Sequence, residues 1–330
     1  MYNGQYLQSG SPHTFTVDTP LVFQWLPRKY GYLIPEKYVE RLSEWAKRES
    51  TRVVKLVING SGFTPMQRKE LENKISSREF NPNKNIELID FNELDLGEYE
   101  FSFHLQKMWQ IEKSKCPLYK VSQYFRDLYS IPEDERLSFG VEIDSMRIFM
   151  LLALKSPMIY LDFDILPTED KKICEIHAKQ GFLLAENEGT GHSYSGMINI
   201  ENAIIAVSDA GRIKITEIYN EVKRRFKTCY PTLRSAPSYV YTITDGIILN
   251  SLSHEYLFDK KSVIEEIFGF KTNGGEVDIQ YDNSWTKNKD ELYTKEEIAK
   301  IDSDTRVATD MKGLITEPIY NGEHMYRVSK

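Results

Sequence analysis

Short apolar runs alternate with amphipathic segments in the N-terminal part of the chain. The apolar runs are rich in β-branched and aromatic residues, which is typical of strands. The segments between them place apolar residues at helical spacing among charged ones. The pattern predicts strand, helix, strand, helix and strand at 21–25, 34–49, 52–58, 64–75 and 86–90. This alternation predicts a parallel sheet core in this half of the chain.

Helix boundaries and a change of pattern follow. Thr64 and Pro65 suit an N-cap and a first helical position. Residues 101–129 favour helix with a break at Pro117, so we expect a helical insertion over about 101–135. Residues 139–154 form a strongly apolar helical stretch. The apolar run at 157–166 then predicts a strand that is covered on both faces.

The last third of the chain carries weaker signals. Strands are expected at 182–185, 202–207 and 277–281, and helices at 211–227, 242–251 and 261–268. From Thr286 onward the chain is polar and charged. We therefore expect an α/β domain over 1–285 and a C-terminal polar extension over 286–330, which could form a lid or dock a partner.

Composition narrows the class of protein. With 41% hydrophobic residues, the 330-residue chain can bury a packed core. Its net charge of −7 argues against nucleic acid as the main partner, because phosphate binding needs a basic surface. No run approaches the length of a membrane span, and the polar start carries no Sec signal. The three cysteines lie far apart, so they form no zinc or redox motif and fit a reducing compartment at the site of action.

Two carboxylates, Asp162 and Asp164, come at the end of the apolar strand in the middle of the chain. Ligands of α/β sheets collect beyond the carboxyl ends of the strands. Carboxylate oxygens are the ligands that hard divalent cations prefer, and such a cation can hold a diphosphate. The ordinary alternative is a turn or a solvated loop, because Asp-x-Asp is common.

Asp144 and Arg147 stand out on the apolar helix that precedes this strand. Their spacing of three places them on one helix face. They could form an internal ion pair, or Asp144 could accept hydrogen bonds from sugar hydroxyls while the planar fork of Arg147 reaches sugar or phosphate. Both interpretations stay open.

Trp25 ends the first strand, and Tyr160 lies two residues before Asp162. Trp25 could cap the core, or it could stack on a nucleobase, a contact that contributes about 1–3 kcal/mol. Tyr160 could line the same pocket.

Two later segments carry further candidates. Glu201 and Asn202 start an apolar strand after a Gly-rich loop that lacks the Gly-Lys-Ser/Thr of a P-loop. Glu201 is a candidate general base or acceptor-orienting carboxylate, and its alternative is a charge at a strand edge. The late segment Asp282-Asn283-Ser284-Trp285 offers oxygen ligands for a hard metal and an aromatic lid, or simply a turn with an aromatic plug.

In their order along the chain, these pieces resemble GT-A glycosyltransferases. The catalytic domains of clostridial glucosylating toxins share the Asp-x-x-Arg helix, the Tyr-Leu-Asp-x-Asp strand, and a late Ser and Trp. The NleB/SseK-type bacterial effectors, which add N-acetylglucosamine to arginine, are closer in length. The effector-like stretches are DTPLVFQW from Asp18, VVKLVING from Val53, FTPMQRKE from Phe63, IYLDFD from Ile159, ENAIIAV from Glu201 and NSW from Asn283.

The resemblance implies a Rossmann-like mixed sheet flanked by helices and a role for each matching residue. The implied donor-binding residues are Phe23, Gln24, Trp25, Tyr160, Asp162, Asn202 and the lid Trp285. The implied ligands of Mn²⁺ or Mg²⁺ are Asp162, Asp164, Asp282, Asn283 and Ser284. The implied catalytic residues are Asp144 and Arg147 on the sugar, and Glu201 and Glu186 toward the acceptor.

The chain departs from the effector pattern in three ways. The effectors pair the Glu-Asn with an upstream His, whereas here that strand has Ala185 and Glu186. About forty-five residues follow Trp285, where the effectors end. The gap between Asp144 and Asp162 is more like that of the toxins. These departures bear on the expected specificity for an arginine acceptor more than on the expected fold or the expected sugar donor.

The sequence therefore favours a retaining glycosyltransferase that moves a sugar, GlcNAc favoured, from a UDP-sugar to a protein side chain, arginine favoured. The alternatives are O-linked transfer to Ser, Thr or Tyr, an idle nucleotide-binding module and, last, a metal-dependent phosphoesterase. The expected setting is a bacterial effector or toxin, secreted by a specialised system into the host cytosol. We expect a monomer that acts on a host protein and has neither a membrane span nor a nucleic-acid partner.

Overall fold

A six-stranded sheet forms the centre of the protein, which we describe from a computed structural model. The structure describes residues 11–105, 117–163, 175–178, 180–187, 199–228, 289–313, 315–316 and 327–328. The strands in these ranges are β1 (His13–Phe15), β2 (Leu21–Trp25), β3 (Val54–Ile58), β4 (Ile86–Asp90), β5 (Ser102–His104), β6 (Leu118–Lys120), β7 (Met158–Leu161), β8 (Ile176–Ala178), β9 (Phe182–Asn187), β10 (Asn199–Val207), β11 (Ile315–Thr316) and β12 (Arg327–Val328). The α-helices in these ranges are α1 (Glu36–Arg48), α2 (Pro65–Ser76), α3 (Val121–Asp127), α4 (Phe139–Ala153), α5 (Arg212–Thr228), α6 (Lys289–Leu292) and α7 (Lys295–Gly313).

The order of strands across the sheet is β4-β3-β2-β7-β10-β9. The four strands β4, β3, β2 and β7 run parallel. Strand β10 runs antiparallel to β7, and β9 runs antiparallel to β10. The predicted parallel core is confirmed, and the α/β fold with a mixed sheet is confirmed with it.

Helices cover both faces of the sheet, which explains why β2 is apolar at nearly every position. Val22 belongs to one hydrophobic cluster, which includes residues of α3, α4 and α5. Leu21, Phe23 and Trp25 belong to the other, which includes residues of α1 and α2. This division follows the two-residue period of a strand, so successive side chains pack against opposite helix layers.

The N-cap predicted at Thr64 is confirmed. The Thr64 hydroxyl accepts a hydrogen bond from the backbone N–H of Gln67 at 3.2 Å, and the Gln67 side chain accepts one from the backbone N–H of Thr64 at 3.1 Å. Pro65 occupies the start of the helix. This capping box satisfies donors that the first turn of α2 leaves unpaired.

The prediction that 101–129 is mostly helical, with a break at Pro117, is wrong at two places. Ser102–His104 and Leu118–Lys120 form an antiparallel pair, and the helix α3 begins only at Val121. The reason is a local period of two: Phe103 is buried in the core, whereas Ser102 is exposed and His104 is partly so. The expected helical insertion is therefore part hairpin and part helix in the described residues.

In the described residues, the C-terminal extension forms two helices and the two short strands β11 and β12. Polar residues 289–313 form α6 and α7, and these helices lie against the N-terminal half of the domain. The elements expected at 242–251, 261–268 and 277–281 lie outside the described residues. Among the helices of the described ranges, none has the length and apolar character needed to cross a membrane.

Candidate active site

Most of the described candidates lie at one edge of the central sheet. Trp25 is the last residue of β2, and Asp162 directly follows the last residue of the parallel strand β7. Strand β10 runs the other way, so its first residues, which include Glu201 and Asn202, start near the edge where β7 ends. Glu186 lies near the end of β9, at the register position opposite Ile200. The backbone therefore brings all five positions to the carboxyl edge of the parallel strands.

Arg147 of α4 joins three of the predicted site residues. One of its terminal nitrogens, Nη2, donates to Asp162 Oδ1 at 2.9 Å, and the other, Nη1, donates to Asp144 Oδ1 at 3.3 Å. The guanidinium carbon lies 4.8 Å from the centroid of the Tyr160 ring. The Tyr160 hydroxyl donates to the same Asp162 oxygen. The internal ion pair between Asp144 and Arg147 is thus present, and their role in binding a sugar stays a prediction.

The burial of this network controls its charges. Burial disfavours the charged form of Arg147, but Asp162, Tyr160 and Asp144 more than offset this, so its pKa is raised and it stays a cation. Burial raises the pKa of Asp162 from the ordinary value of an aspartate, and Arg147 and the Tyr160 hydroxyl oppose this rise. Burial also raises the pKa of Tyr160 well above that of a free phenol. Tyr160 is therefore a stable hydrogen-bond donor.

Trp25 packs among aromatic rings beside this network. Its ring centroid lies 5.7 Å from that of Tyr38 and 6.1 Å from that of Phe163, and the side chain is 9% exposed. The indole Nε1 is buried and has no hydrogen-bond partner among the described residues. These contacts agree with the alternative in which Trp25 caps the core, and its stacking on a base stays a prediction.

Phe23 and Gln24 precede Trp25 on β2, and both are buried. Phe23 is fully buried, and its ring centroid is 5.3 Å from that of Phe163. The amide of Gln24 donates to the carbonyl oxygen of Ile143 at 3.2 Å, while its buried Oε1 has no partner in the described part of the chain. Gln24 thus ties the end of β2 to α4 next to Asp144.

Arg41 contacts the candidate site, and the sequence did not indicate this contact. Its Nη1 donates to the carbonyl oxygen of Phe163, the residue after Asp162, at 3.0 Å. Its guanidinium carbon lies 5.3 Å from the centroid of the Tyr38 ring. Arg41 belongs to α1 and is not part of any sequence motif. Its partner is 122 positions away in the chain, so only the fold identifies the contact.

Several predicted residues lie outside the described residues: Asp164, Asp282, Asn283, Ser284 and Trp285. Among described residues, no group of three or more His, Cys, Asp or Glu side chains could hold a metal ion. Asp162 fits the expected cation, because its side chain is 26% exposed and both of its described hydrogen bonds end on Oδ1. Its Oδ2, a hard oxygen ligand, has no described partner. The complete metal shell stays a prediction.

Comparison with known proteins finds likeness in solved structures alone. No family model and no curated protein matches the chain. A bacterial N-acetylglucosamine transferase, NleB, is 18% identical with a TM-score of 0.43, over 79% of this chain and 95% of that one. The PaToxG glycosyltransferase is 14% identical with a TM-score of 0.43, over 92% and 89%. The catalytic domain of the α-toxin from Clostridium novyi is 12% identical with a TM-score of 0.37, over 90% and 82%.

Both groups that the sequence motifs resemble are thus represented among these structures. The identities are low and the TM-scores lie below 0.5, so these structures carry no argument about the function of this protein.

Proposed function

We propose that the protein is a retaining glycosyltransferase that moves a sugar, GlcNAc favoured, from a UDP-sugar to a protein side chain. The observation that carries this proposal is the network of Asp144, Arg147, Tyr160 and Asp162 at the carboxyl edge of the sheet. Two separate sequence motifs, one on a helix and one on a strand, meet there around one buried guanidinium. Such a preorganised charged group is costly to bury and is expected where a ligand is held.

Asp144 and Arg147 would hold the donor sugar. Arg147 is fixed from two sides by carboxylates, and its buried Nε has no described partner. A planar fork held in this way can direct a donor at a sugar or phosphate oxygen without losing side-chain freedom on binding. Asp144 would accept hydrogen bonds from sugar hydroxyls, since a carboxylate is an acceptor with two oxygens.

Asp162 would bind the diphosphate end of the donor through a divalent cation, Mn²⁺ or Mg²⁺, or would bind the ribose directly. Asp164, Ser284, and Asp282 or Asn283 would complete the cation's ligands. When bound, the cation would offset the charge of the departing diphosphate. Trp25 would stack on the uracil with Phe23 and Gln24 supporting it, Asn202 would contribute to the same donor site, and Trp285 would close over the sugar.

Glu201 and Glu186 would face the acceptor. Their positions on β10 and β9 lie at the same end of adjacent strands. An arginine acceptor stays protonated at neutral pH. It would have to give a proton to a carboxylate such as Glu201 or Glu186, and its nitrogen would then bond to the sugar carbon as the bond from that carbon to UDP breaks. Donor and acceptor would then be held together for front-face attack, largely a positioning effect. We propose arginine as the acceptor residue because the positions of two glutamates, Glu186 and Glu201, lie at this edge of the sheet and could supply the carboxylate that it needs.

A second candidate acceptor is a hydroxyl of Ser, Thr or Tyr. In the register of the sheet, Ala185 stands opposite Glu201, in the strand where the effectors carry a His. A hydroxyl acceptor has less need of that His than a guanidinium. We also propose that the protein acts as a monomer on a host protein, after secretion by a specialised bacterial system into the host cytosol.

The test is transfer to proteins of a host lysate, with UDP-GlcNAc or UDP-glucose and Mn²⁺, followed by mass spectrometry. The added mass identifies the sugar, and fragmentation identifies the acceptor residue. UDP release is measured in parallel for Asp162→Asn and for the matched control Glu87→Gln, an exposed carboxylate on β4. We expect Asp162→Asn to lose UDP release and Glu87→Gln to keep it. Normal turnover by Asp162→Asn would refute the proposal, and UDP binding without any transfer would favour the idle binding module.

A further inference from the structure

The C-terminal helices α6 and α7 pack on the loop that connects β2 to α1. The Tyr293 hydroxyl donates to the carbonyl oxygen of Leu33 at 2.9 Å, and its ring meets that of Tyr32 edge-on at a centroid distance of 5.7 Å. Tyr293 is 5% exposed. These contacts join two segments about 260 residues apart, so the extension is part of the domain and its packing fixes this loop.

Glu297 extends the same contact to the first helix. Its Oε1 accepts the backbone N–H of Glu36 at 2.6 Å, and Glu36 is the first residue of α1. This N–H is one of the donors that a helix leaves unpaired in its first turn, and the residue before it, Pro35, supplies no side-chain cap. Glu297 therefore acts as the missing cap from another part of the chain, and a negative charge there is favourable to the helix dipole.

The capped helix leads directly to the candidate donor site. Tyr38, on the first turn of α1, lies 5.7 Å from both Trp25 and Phe163 between ring centroids. One turn later, Arg41 donates to the carbonyl oxygen of Phe163, next to Asp162. The start of α1 thus sets the position of the Trp25 ring and of the turn that carries Asp162.

We propose that Tyr293 and Glu297 are positioning residues of the donor site, and that α6 and α7 form an internal brace that sets its geometry. This inference rests on the proposed function. The brace acts through the 32–36 segment and α1, so neither residue touches the donor. A brace of this kind makes donor binding tighter, because it holds the site in its binding conformation before the nucleotide arrives.

The inference is tested with the full-length protein and three variants. Tyr293→Phe removes the hydrogen bond to Leu33 but keeps the ring contact. Glu297→Ala removes the cap of α1 together with the hydrogen bond that Glu297 Oε2 accepts from the backbone N–H of Thr294 at 2.7 Å. The matched control is Glu296→Ala, which removes the same charge from an exposed position of the same helix. UDP with MnCl₂ is the probe, binding is measured by calorimetry, and kcat and KM are measured with the UDP-sugar. Circular dichroism and thermal unfolding report folding.

We expect Glu297→Ala to weaken UDP binding and raise KM about tenfold, with kcat at saturating donor within about twofold of wild type. Tyr293→Phe should shift the same constants in the same direction by less, and Glu296→Ala should shift none of them. Unchanged UDP affinity in Glu297→Ala, or failure of both brace variants to fold, would show a role in stability alone and overturn the inference. Failure of the wild-type protein to bind UDP would instead refute the proposed function, and the inference with it.

Discussion

Arg147 Nη2 lies 2.9 Å from Asp162 Oδ1, and this contact joins the helix motif to the strand motif. Asp144 binds the other terminal nitrogen of the same guanidinium. The side chain of Arg147 is 5% exposed, so water could not readily replace these hydrogen bonds if they were lost. Arg147 therefore holds two carboxylates in fixed positions at the edge where the donor is proposed to bind.

Replacement of Arg147 by lysine should abolish most activity while the charge is kept. A single ammonium on a flexible stem cannot donate to two separately placed carboxylates as the planar fork does. We expect Arg147→Lys to reduce kcat/KM for UDP release about 100-fold or more, because the geometry of both carboxylates is lost. The free energy of unfolding should fall by about 2 kcal/mol, typical for charged hydrogen bonds, as measured by urea denaturation.

The matched control for this variant is Arg224→Lys on α5. Arg224 is 52% exposed and pairs with Glu221 three residues away in its own helix. An exposed pair of this kind contributes little to stability. If Arg147→Lys behaved like Arg224→Lys in both measurements, the network would have no special role.

Arg41 should control the affinity of the site for the metal-bound nucleotide. If Arg41 is replaced, the carbonyl oxygen of Phe163 loses a charged hydrogen-bond donor, and the backbone after Asp162 becomes less constrained. We expect Arg41→Gln to weaken UDP binding in the presence of Mn²⁺ about tenfold, as measured by calorimetry. Lys47→Gln, which removes an exposed positive charge from the same helix, is the control and should bind as wild type does. Equal affinities of the two variants would exclude a positioning role for Arg41.

The sequence predicted the parts of the site that depend on local spacing. The strand at 21–25, the N-cap at Thr64 with Pro65 at the first helical position, and the placement of Asp144 and Arg147 on one helix face depend on neighbouring residues, and the structure confirms each of them. The end of the apolar run likewise placed Asp162 just past a buried strand. Local patterns suffice for such features because one element determines them.

The parts that the sequence did not predict depend on contacts between distant elements. Arg41 is one charge among several on α1, and only the fold brings it to Phe163. The helix α7 has a narrow apolar stripe, with Ile301 fully buried and Val307 exposed, so its composition indicated a polar tail. Its docking depends on the Tyr293 hydroxyl, which donates to the carbonyl oxygen of Leu33, and on the Glu297 carboxylate, which accepts the backbone N–H of Glu36. Neither contact leaves a periodic signal in the sequence.

Tyr124 should make stability depend on pH in the alkaline range. It is fully buried, and its hydroxyl donates to Glu142 Oε1 at 2.5 Å and accepts the backbone N–H of Leu137 at 3.0 Å. Burial, with the charge of Glu142 in second place, raises its pKa well above that of a free phenol. A folded-state pKa above the unfolded value means that the stabilisation is complete below about pH 10 and is lost as pH rises further.

We therefore expect Tyr124→Phe to lower the free energy of unfolding at pH 8 by about 1–3 kcal/mol, because Glu142 and Leu137 each lose a partner. Above pH 10 the wild-type protein should lose up to about 1.4 kcal/mol per pH unit more than the variant, so the two curves converge. Urea denaturation between pH 8 and pH 11 measures both. Tyr119→Phe, at a partly buried position, is the control, and parallel curves for wild type and Tyr124→Phe would contradict the prediction.

Gly31 lies in the loop after β2, and we expect a larger residue there to destabilise the protein. Its backbone conformation and the packing of α7 both oppose a side chain at this position. Its φ is +79°, a conformation that favours glycine, and a Cβ at this position would collide with the hydroxyl of Thr305 on α7. Gly31→Ala should therefore lower the free energy of unfolding by about 1–3 kcal/mol, from backbone strain and from the collision. In the double variant Gly31→Ala with Thr305→Ala the collision is absent and only the strain is left, so its loss should be smaller than the sum of the two single losses by about 1 kcal/mol. Urea denaturation of the four proteins gives this coupling energy, and strict additivity would mean that α7 does not pack on Gly31 in solution.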